Sequence, residues 1–247
     1  MIQVLTIAGF DGCAGAGILA DVKASAFYGV YCQAVCTALT VQNEDEFLTP
    51  GWVPWECIEG QLETLFKKHV FEFVKIGLIE NAKILKRVVE LVRRFSPNAF
   101  IVWDPIASAT AGFRFLNSTE QEYFLSIMKR IDLVTPNLNE YTFLGLDKVS
   151  PSDSRERRDF AVLLKGGHSK GDEAIDVLWT KDSQKYEFVS PRLMGVDKHG
   201  TGCSLSSAIV ANIALGKSLP DACKIAKDYM DKFLGSGEGR LGFIFDK

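Results

Sequence analysis

No segment of the chain approaches the roughly 20 uninterrupted apolar residues of a membrane-spanning helix, and there is no run rich in Lys and Arg. The formal net charge is only -3. Nucleic acid and anionic membrane both need concentrated positive charge, so neither is expected as a partner, and the expected ligand is a small molecule. Met1 to Ala8 is a short apolar run with no basic residues ahead of it and no signal-type cleavage site, so it reads as a buried strand rather than an export signal. The six cysteines, at 13, 32, 36, 57, 203 and 223, lack the regular spacing of a disulfide framework or a zinc knuckle. They are expected as reduced thiols of a cytoplasmic protein, with Cys32 and Cys36 filling core on one face of a strand. Internal repeats, low-complexity stretches and long Gly/Ser/Pro linkers are also missing.

What is present is enough for a full core. At 247 residues, 47% hydrophobic and 24% charged, the chain is expected to fold as one soluble α/β domain over 1–247. Apolar runs of strand length alternate with stretches of helical period, the pattern of a mostly parallel sheet with helices on both faces. The strand candidates are Gln3 to Ala8, Val30 to Thr40, Phe73 to Gly77, Ala99 to Asp104, Leu133 to Thr135 and Ala161 to Lys165. Ile84, Leu85, Val88, Val89, Leu91, Val92 and Phe95 make one broad apolar helix face that Ser96-Pro97 stops. Val177 to Trp179 and Tyr186 to Val189 predict a hairpin, and two helices are expected to finish the chain. The glycines cluster at strand ends, where α/β proteins place ligands.

Three of those clusters carry chemistry. His199-Gly200-Thr201-Gly202-Cys203-Ser204 runs straight into an amphipathic helix, so unpaired backbone N–H groups and the positive end of the dipole meet at one point suited to a phosphoryl group. Cys203 in that first turn is expected to have a lowered pKa and to serve as a proton acceptor; a glycine turn ahead of a core helix with a buried cysteine explains the pattern as well. Gly9 to Gly17, directly after the first strand, matches neither the dinucleotide fingerprint nor a P-loop, and reads as a substrate loop or a tight turn. Thr135-Pro136-Asn137-Leu138-Asn139-Glu140 could hold hydrated magnesium beside a nucleotide phosphate, or simply cap a helix. Asp104 and Lys165-Gly166-Gly167-His168 add one charge of each sign at the same sheet edge. His168 and His199 read as polar surface residues, not metal ligands.

In order and spacing these stretches resemble the bacterial hydroxymethylpyrimidine/phosphomethylpyrimidine kinases of thiamine biosynthesis. The likeness runs over nearly the whole chain through Leu5-Thr6-Ile7-Ala8-Gly9, Gly15-Ala16-Gly17, Ala20-Asp21-Val22-Lys23, Thr37 to Asn43, Val74-Lys75-Ile76-Gly77, Asp104-Pro105, Thr135 to Leu138 with Glu140, Leu164 to His168 and His199 to Cys203. The resemblance implies a ribokinase-like fold, ATP with Mg2+, a homodimer, and two successive phosphorylations of 4-amino-5-hydroxymethyl-2-methylpyrimidine. It implies that Gln42 reads the aminopyrimidine edge, that Gly9, Ala16 and Leu78 wall the ring, and that Cys203 is the base. It further implies that Gly200, Thr201 and Gly202 stabilise the moving phosphoryl group, that Lys165, Gly167 and Thr201 meet the nucleotide, and that Asn137, Glu140 and Asp104 hold magnesium. Asp21, Asp104 and Lys227 would hold the substrate's phosphate or its magnesium in the second step.

The chain departs from that pattern at Phe10, where the family often has a small polar residue, at Ala14, where it commonly has glycine, and at Thr110, where it often has lysine. Between Leu146 and Phe160 a polar stretch stands where a helix is expected, which implies a trimmed wall on the nucleotide side. Two other readings remain open: a pyridoxal or pyridoxine kinase, and a non-catalytic pyrimidine-binding sensor. Gln42 and the His-Gly-Thr-Gly-Cys string favour the pyrimidine, and the joint presence of Cys203, Glu140, Asp104 and Lys227 favours catalysis.

Overall fold

The computed structural model describes residues 1–108, 115–116, 118–148, 159–167, 171–193 and 195–244. Thr110, His168 and most of the polar stretch after Leu146 lie outside the described residues, so the expectations placed on them have no structural counterpart.

The strands form one nine-stranded sheet in the order β3-β2-β1-β4-β5-β6-β7-β8-β9. In chain order the elements are β1 (Gln3–Asp11), α1 (Gly17–Phe27), β2 (Tyr31–Gln42), β3 (Phe47–Trp52), α2 (Trp55–Phe66), β4 (Phe73–Ile76), α3 (Ala82–Phe95) and β5 (Phe100–Trp103). They continue with α4 (Gln121–Met128), β6 (Leu133–Val134), α5 (Leu138–Phe143), β7 (Ala161–Leu164), β8 (Glu173–Trp179), β9 (Lys185–Pro191), α6 (Thr201–Ala214) and α7 (Leu219–Leu234). From β2 through β7 every neighbouring pair is parallel, while β3, β8 and β9 are added antiparallel at the two edges.

The period of two sends successive residues of a central strand into different cores. On β5, Ile101 and Trp103 enter the core that α2, α3 and α4 cover, whereas Val102 enters the one built with α6 and α7. A strand covered on both faces is expected to be apolar, which is why β5 and β7 read as unbroken apolar runs; β4 departs from this only at Lys75, whose charge is paired in the interior. The helix expected to end at Ser96 is α3; Asn81 caps it by accepting from the Ile84 N–H, and Arg93 and Arg94 stand in its last turn, where cations suit the dipole.

The hairpin forms as expected, but β3 was not among the strand candidates. Thr49-Pro50-Gly51 looks like a turn by composition, yet it pairs with Leu39, Thr40 and Val41 at the sheet edge, where a strand tolerates proline. Tertiary pairing overrides local preference there.

Beneath the sheet edge that carries the ligand loops lies a buried ion pair. Lys75 on β4 sends Nζ to both carboxylate oxygens of Asp21 on α1, at 2.9 and 2.8 Å. Thr6 and Ser207 donate to the same carboxylate at 2.5 and 2.7 Å. Burial alone would push the Lys75 pKa down, yet Asp21 outweighs it and holds the ammonium above the ordinary lysine range. Lys75→Met should therefore cost about 3–5 kcal/mol in urea unfolding, since it strands a buried carboxylate, and Asp21→Asn added to it should recover part of the loss. A single-variant loss below about 1 kcal/mol would remove the pair from its structural role.

Candidate functional site

Because the parallel strands all point one way, their C-terminal ends gather the loops into one cavity of about 370 Å³. Gly9, Phe10 and Asp11 come from the end of β1, Gln42 from β2, Leu78 from beyond β4, Asp104 from beyond β5, Asn137 and Glu140 from beyond β6, and Lys165 and Gly167 from beyond β7. His199, Gly200, Thr201, Gly202 and Cys203 close the wall from the start of α6, with Lys227 on α7. Of the expected site residues, all except Asp21 border this space.

Two glycines allow the two main loops to touch. Gly200 has φ +75°, and a Cβ there would meet the Gly15 carbonyl oxygen at 1.9 Å; Gly17 has φ +58°, and a Cβ there would meet the Gly9 carbonyl oxygen at 2.1 Å. Gly200 is the N-cap of α6 and supplies no side chain to it. The first helical bond at this end is Ser204 N–H to Gly200 O, 2.9 Å, so the N–H groups that precede Ser204 face the cavity side without helical partners.

Asp11 fastens those loops together. Its carboxylate accepts from the Cys13 N–H at 3.1 Å, the Cys13 thiol at 3.1 Å and the Ala16 N–H at 2.8 Å, and lies 3.0 Å from His199 Nε2. Burial acts to raise the Asp11 pKa, but the hydrogen bonds from His199, Cys13 and Ala16 win and hold it at about 2. His199 is thus a buried partner of a carboxylate, not the polar surface residue expected from sequence.

On the opposite wall, Lys165 Nζ lies 2.8 Å from Asp104 and 3.7 Å from Glu140. A Cβ built on Gly202 would sit 3.2 Å from both Asp104 Oδ2 and Lys165 Nζ, which places this charge cluster against the start of α6. Asn137 and Glu140 form a capping box on α5: Asn137 Oδ1 accepts from the Glu140 N–H at 2.9 Å, and Glu140 Oε2 accepts from the Asn137 N–H at 2.8 Å. The capping reading of this segment is therefore realised, and the Asn137 side chain acts first on Glu140. Burial, and after it the nearby Asp104 charge, raise the Glu140 pKa against the pull of Lys165. Lys227 Nζ is 3.0 Å from Asp176, whose other oxygen accepts from the Gly166 N–H at 2.7 Å.

Two expectations are corrected. Asp21 does not reach the cavity, because its oxygens are taken by Lys75, Thr6 and Ser207 in the interior, so no phosphate or magnesium contact falls to it. Cys203 does stand in the first turn of α6, but its thiol is not acidified: burial pushes it up to about 11, and the opposing charge of Lys75 only partly offsets this. A helix N-terminus favours the thiolate, but at Cys203 the cost of burying that charge is the larger effect. Gln42 keeps its place at the mouth, with Nε2 donating to Thr40 Oγ1 at 2.9 Å. Asp11 and Asp176 were missed; the one available signal was a carboxylate ending or interrupting an apolar strand, which sequence alone cannot separate from a turn.

Three comparisons bear on this site. The family profile described as phosphomethylpyrimidine kinase matches residues 11–239. The hydroxymethylpyrimidine/phosphomethylpyrimidine kinase of Aquifex aeolicus is 38% identical over 254 residues, covering 97% of this chain and 99% of that one. Among solved structures, the pyridoxal kinase of Staphylococcus aureus in complex with AMP-PCP and pyridoxal superimposes with TM-score 0.83 at 27% identity, covering 98% of this chain and 91% of that one. The phosphomethylpyrimidine kinase of Clostridium difficile superimposes with TM-score 0.75 at 30% identity, covering 94% and 98%.

The burial of Cys203 has a direct chemical consequence. Cys57 is exposed, whereas Cys203 is enclosed and its thiol held at about 11, so brief iodoacetamide treatment at pH 7.5 should label Cys57 and leave Cys203 unmodified by peptide mass spectrometry. Labelling of Cys203 at a comparable rate would show the thiol to be open and acidic after all.

Proposed function

The chain belongs to the phosphomethylpyrimidine kinase family, and on that footing we propose that it is an ATP-dependent kinase of 4-amino-5-hydroxymethyl-2-methylpyrimidine and of its monophosphate, acting as one domain over 1–247. The observation that carries the reading is the convergence, in one cavity, of an uncapped helix start at Gly200 to Cys203 with the Asp104–Lys165–Glu140 charge cluster. Phosphoryl transfer asks mainly for positioning and for charge stabilisation, and this pairing supplies both.

The pyrimidine is assigned to the space between Gly9, Ala16, Leu78 and Gln42, where an amide can both donate to and accept from an aminopyrimidine edge. The acceptor oxygen attacks the γ-phosphorus of ATP: the new O–P bond forms as the bond to the β-phosphate oxygen breaks, and ADP leaves. The backbone N–H groups of Gly200, Thr201 and Gly202 receive the growing negative charge, and Cys203 takes the hydroxyl proton. Only the thiolate form of Cys203 can accept that proton, and burial makes this form scarce near neutrality in the unliganded protein, which suits a transition state whose attacking hydroxyl loses its proton late. Lys165, Gly167, Thr201 and Lys227 are assigned to the nucleotide and phosphate side.

Asp104 and Glu140 fit magnesium in the manner of a site that relies on phosphates and water for its remaining ligands. Two buried carboxylates sharing one lysine leave an excess of negative charge, which a hard cation relieves; burial and, after it, the Asp104 charge raise the Glu140 pKa. Asn137 serves this site by fixing Glu140. When bound, magnesium would neutralise the charge of the transferring phosphate.

Free thiols and the absence, among the described residues, of any helix able to cross a membrane agree with work in the cytoplasm. Leu39, Val41 and Leu48 stand exposed on β2 and β3 and suit a homodimer contact; Leu39→Glu with Val41→Glu should then shift a dimer to monomer in sedimentation velocity, and a monomeric parent would end that assignment.

The decisive assay is ADP release with hydroxymethylpyrimidine, its monophosphate, pyridoxal or no acceptor. Turnover with both pyrimidines is expected, whereas turnover chiefly with pyridoxal would move the assignment to the reaction named for the Staphylococcus neighbour, and pyrimidine binding without turnover would leave a sensor. Cys203→Ala should lower kcat by about a hundredfold or more, with the pyrimidine KM nearly unchanged. Since the thiolate fraction grows with pH toward about 11, kcat of the parent should also rise above pH 8 and that rise should vanish in the variant; equal turnover would refute the role.

A further inference from the structure

Three other lysines enclosed in this fold face carboxylates: Lys75 meets Asp21 at 2.8 Å, Lys165 meets Asp104 at 2.8 Å and Lys227 meets Asp176 at 3.0 Å. Lys198 does not. It is only 5% exposed, and among the described residues no carboxylate lies within ion-pair distance of its Nζ. The adjacent Asp197 turns its carboxylate to Arg240, 2.8 Å away. Lys198 Nζ instead donates to the carbonyls of Gly239 at 2.7 Å and Gly237 at 3.1 Å. An ammonium has three N–H donors, so one is left without a partner among the described residues.

An enclosed cation held only by carbonyl dipoles is costly unless an anion completes its surroundings. Lys198 borders the main cavity, directly before the His199-Gly200 turn that opens α6. That helix start carries no side-chain cap, so it and the spare ammonium donor call for the same ligand chemistry from neighbouring positions.

We propose that Lys198 is a phosphate-contacting residue of the cavity, its third N–H reserved for an oxygen of a bound phosphoryl group. The inference rests on the kinase reading and extends it to a residue that the resemblance does not assign. The phosphate comes either from the nucleotide chain or from the pyrimidine monophosphate of the second step, and these two sources share the chemistry that Lys198 recognises. The lysine also ties the bound phosphate to the C-terminal turn, because the carbonyls it holds belong to Gly237 and Gly239, in the turn that also presents the Arg240 carbonyl to His199 N–H at 2.8 Å.

The test is isothermal titration of the full chain with three ligands: AMP-PCP with magnesium, the pyrimidine monophosphate, and the uncharged hydroxymethylpyrimidine. Lys198→Gln keeps N–H donors for the two glycine carbonyls and removes the charge, while Lys198→Arg keeps the charge. Lys198→Gln should weaken at least one phosphorylated ligand by about tenfold or more, with Lys198→Arg much closer to the parent and the uncharged alcohol unaffected. A loss confined to AMP-PCP assigns the nucleotide phosphates, and a loss confined to the monophosphate assigns the acceptor. Parental affinity for both phosphorylated ligands in Lys198→Gln would overturn the proposal, as would equal loss of all three ligands with a lowered Tm, which marks a purely structural lysine. If the parent bound AMP-PCP but neither pyrimidine, the kinase reading would lose its acceptor while the AMP-PCP arm still decided Lys198.

Discussion

The Asp11 carboxylate is the contact on which the rest of the cavity depends. It sits where β1 ends, gathers the N–H groups of Cys13 and Ala16 from its own loop, and meets His199 from a segment 188 positions away in the chain. Without that tie, the Gly9–Gly17 loop and the start of α6 would be two separate glycine turns. With it, Gly200 lies against the Gly15 carbonyl at a distance no side chain tolerates, and a substrate loop and an anion-binding helix start share one wall. The strength comes from charge-assisted bonds in an enclosed place, which also explains why the carboxyl is held so far toward its ionised form.

Charge around the cavity is arranged in matched sets. Lys75 with Asp21 lies deepest and is consumed by structure; Lys165 with Asp104 and Glu140 lies at the edge and carries surplus negative charge; Lys227 with Asp176 flanks the last helix. Depth separates these roles. A pair sealed from the cavity stabilises only the fold, whereas a pair on the cavity wall can exchange partners with a ligand. Lys198 completes this series as the member whose counter-charge the described protein does not contain.

Cys203 shows how enclosure and helix position compete. The N-terminal turn of α6 favours a thiolate and so does Lys75, yet burial of the thiol dominates. Transferring electrostatic reasoning from helix position alone to a pKa therefore fails at this residue, although the placement of the residue itself was correct.

The one-dimensional pattern determined the α/β class, the central strands, the α3 face and the glycine turns, because alternation, helical period and backbone permissiveness are properties of neighbouring residues. It also placed Cys203, Glu140, Asp104 and Lys165 at strand or helix ends, the family resemblance added Gln42, and the fold brings all five to one cavity. What only the tertiary structure decided are the pairings between distant residues. Asp21 is claimed by Lys75 and His199 by Asp11, while Pro50 is accommodated at a sheet edge and Lys198 is left facing a ligand space. Each of these depends on which groups burial brings together and which it cuts off from water, and sequence spacing holds no record of either.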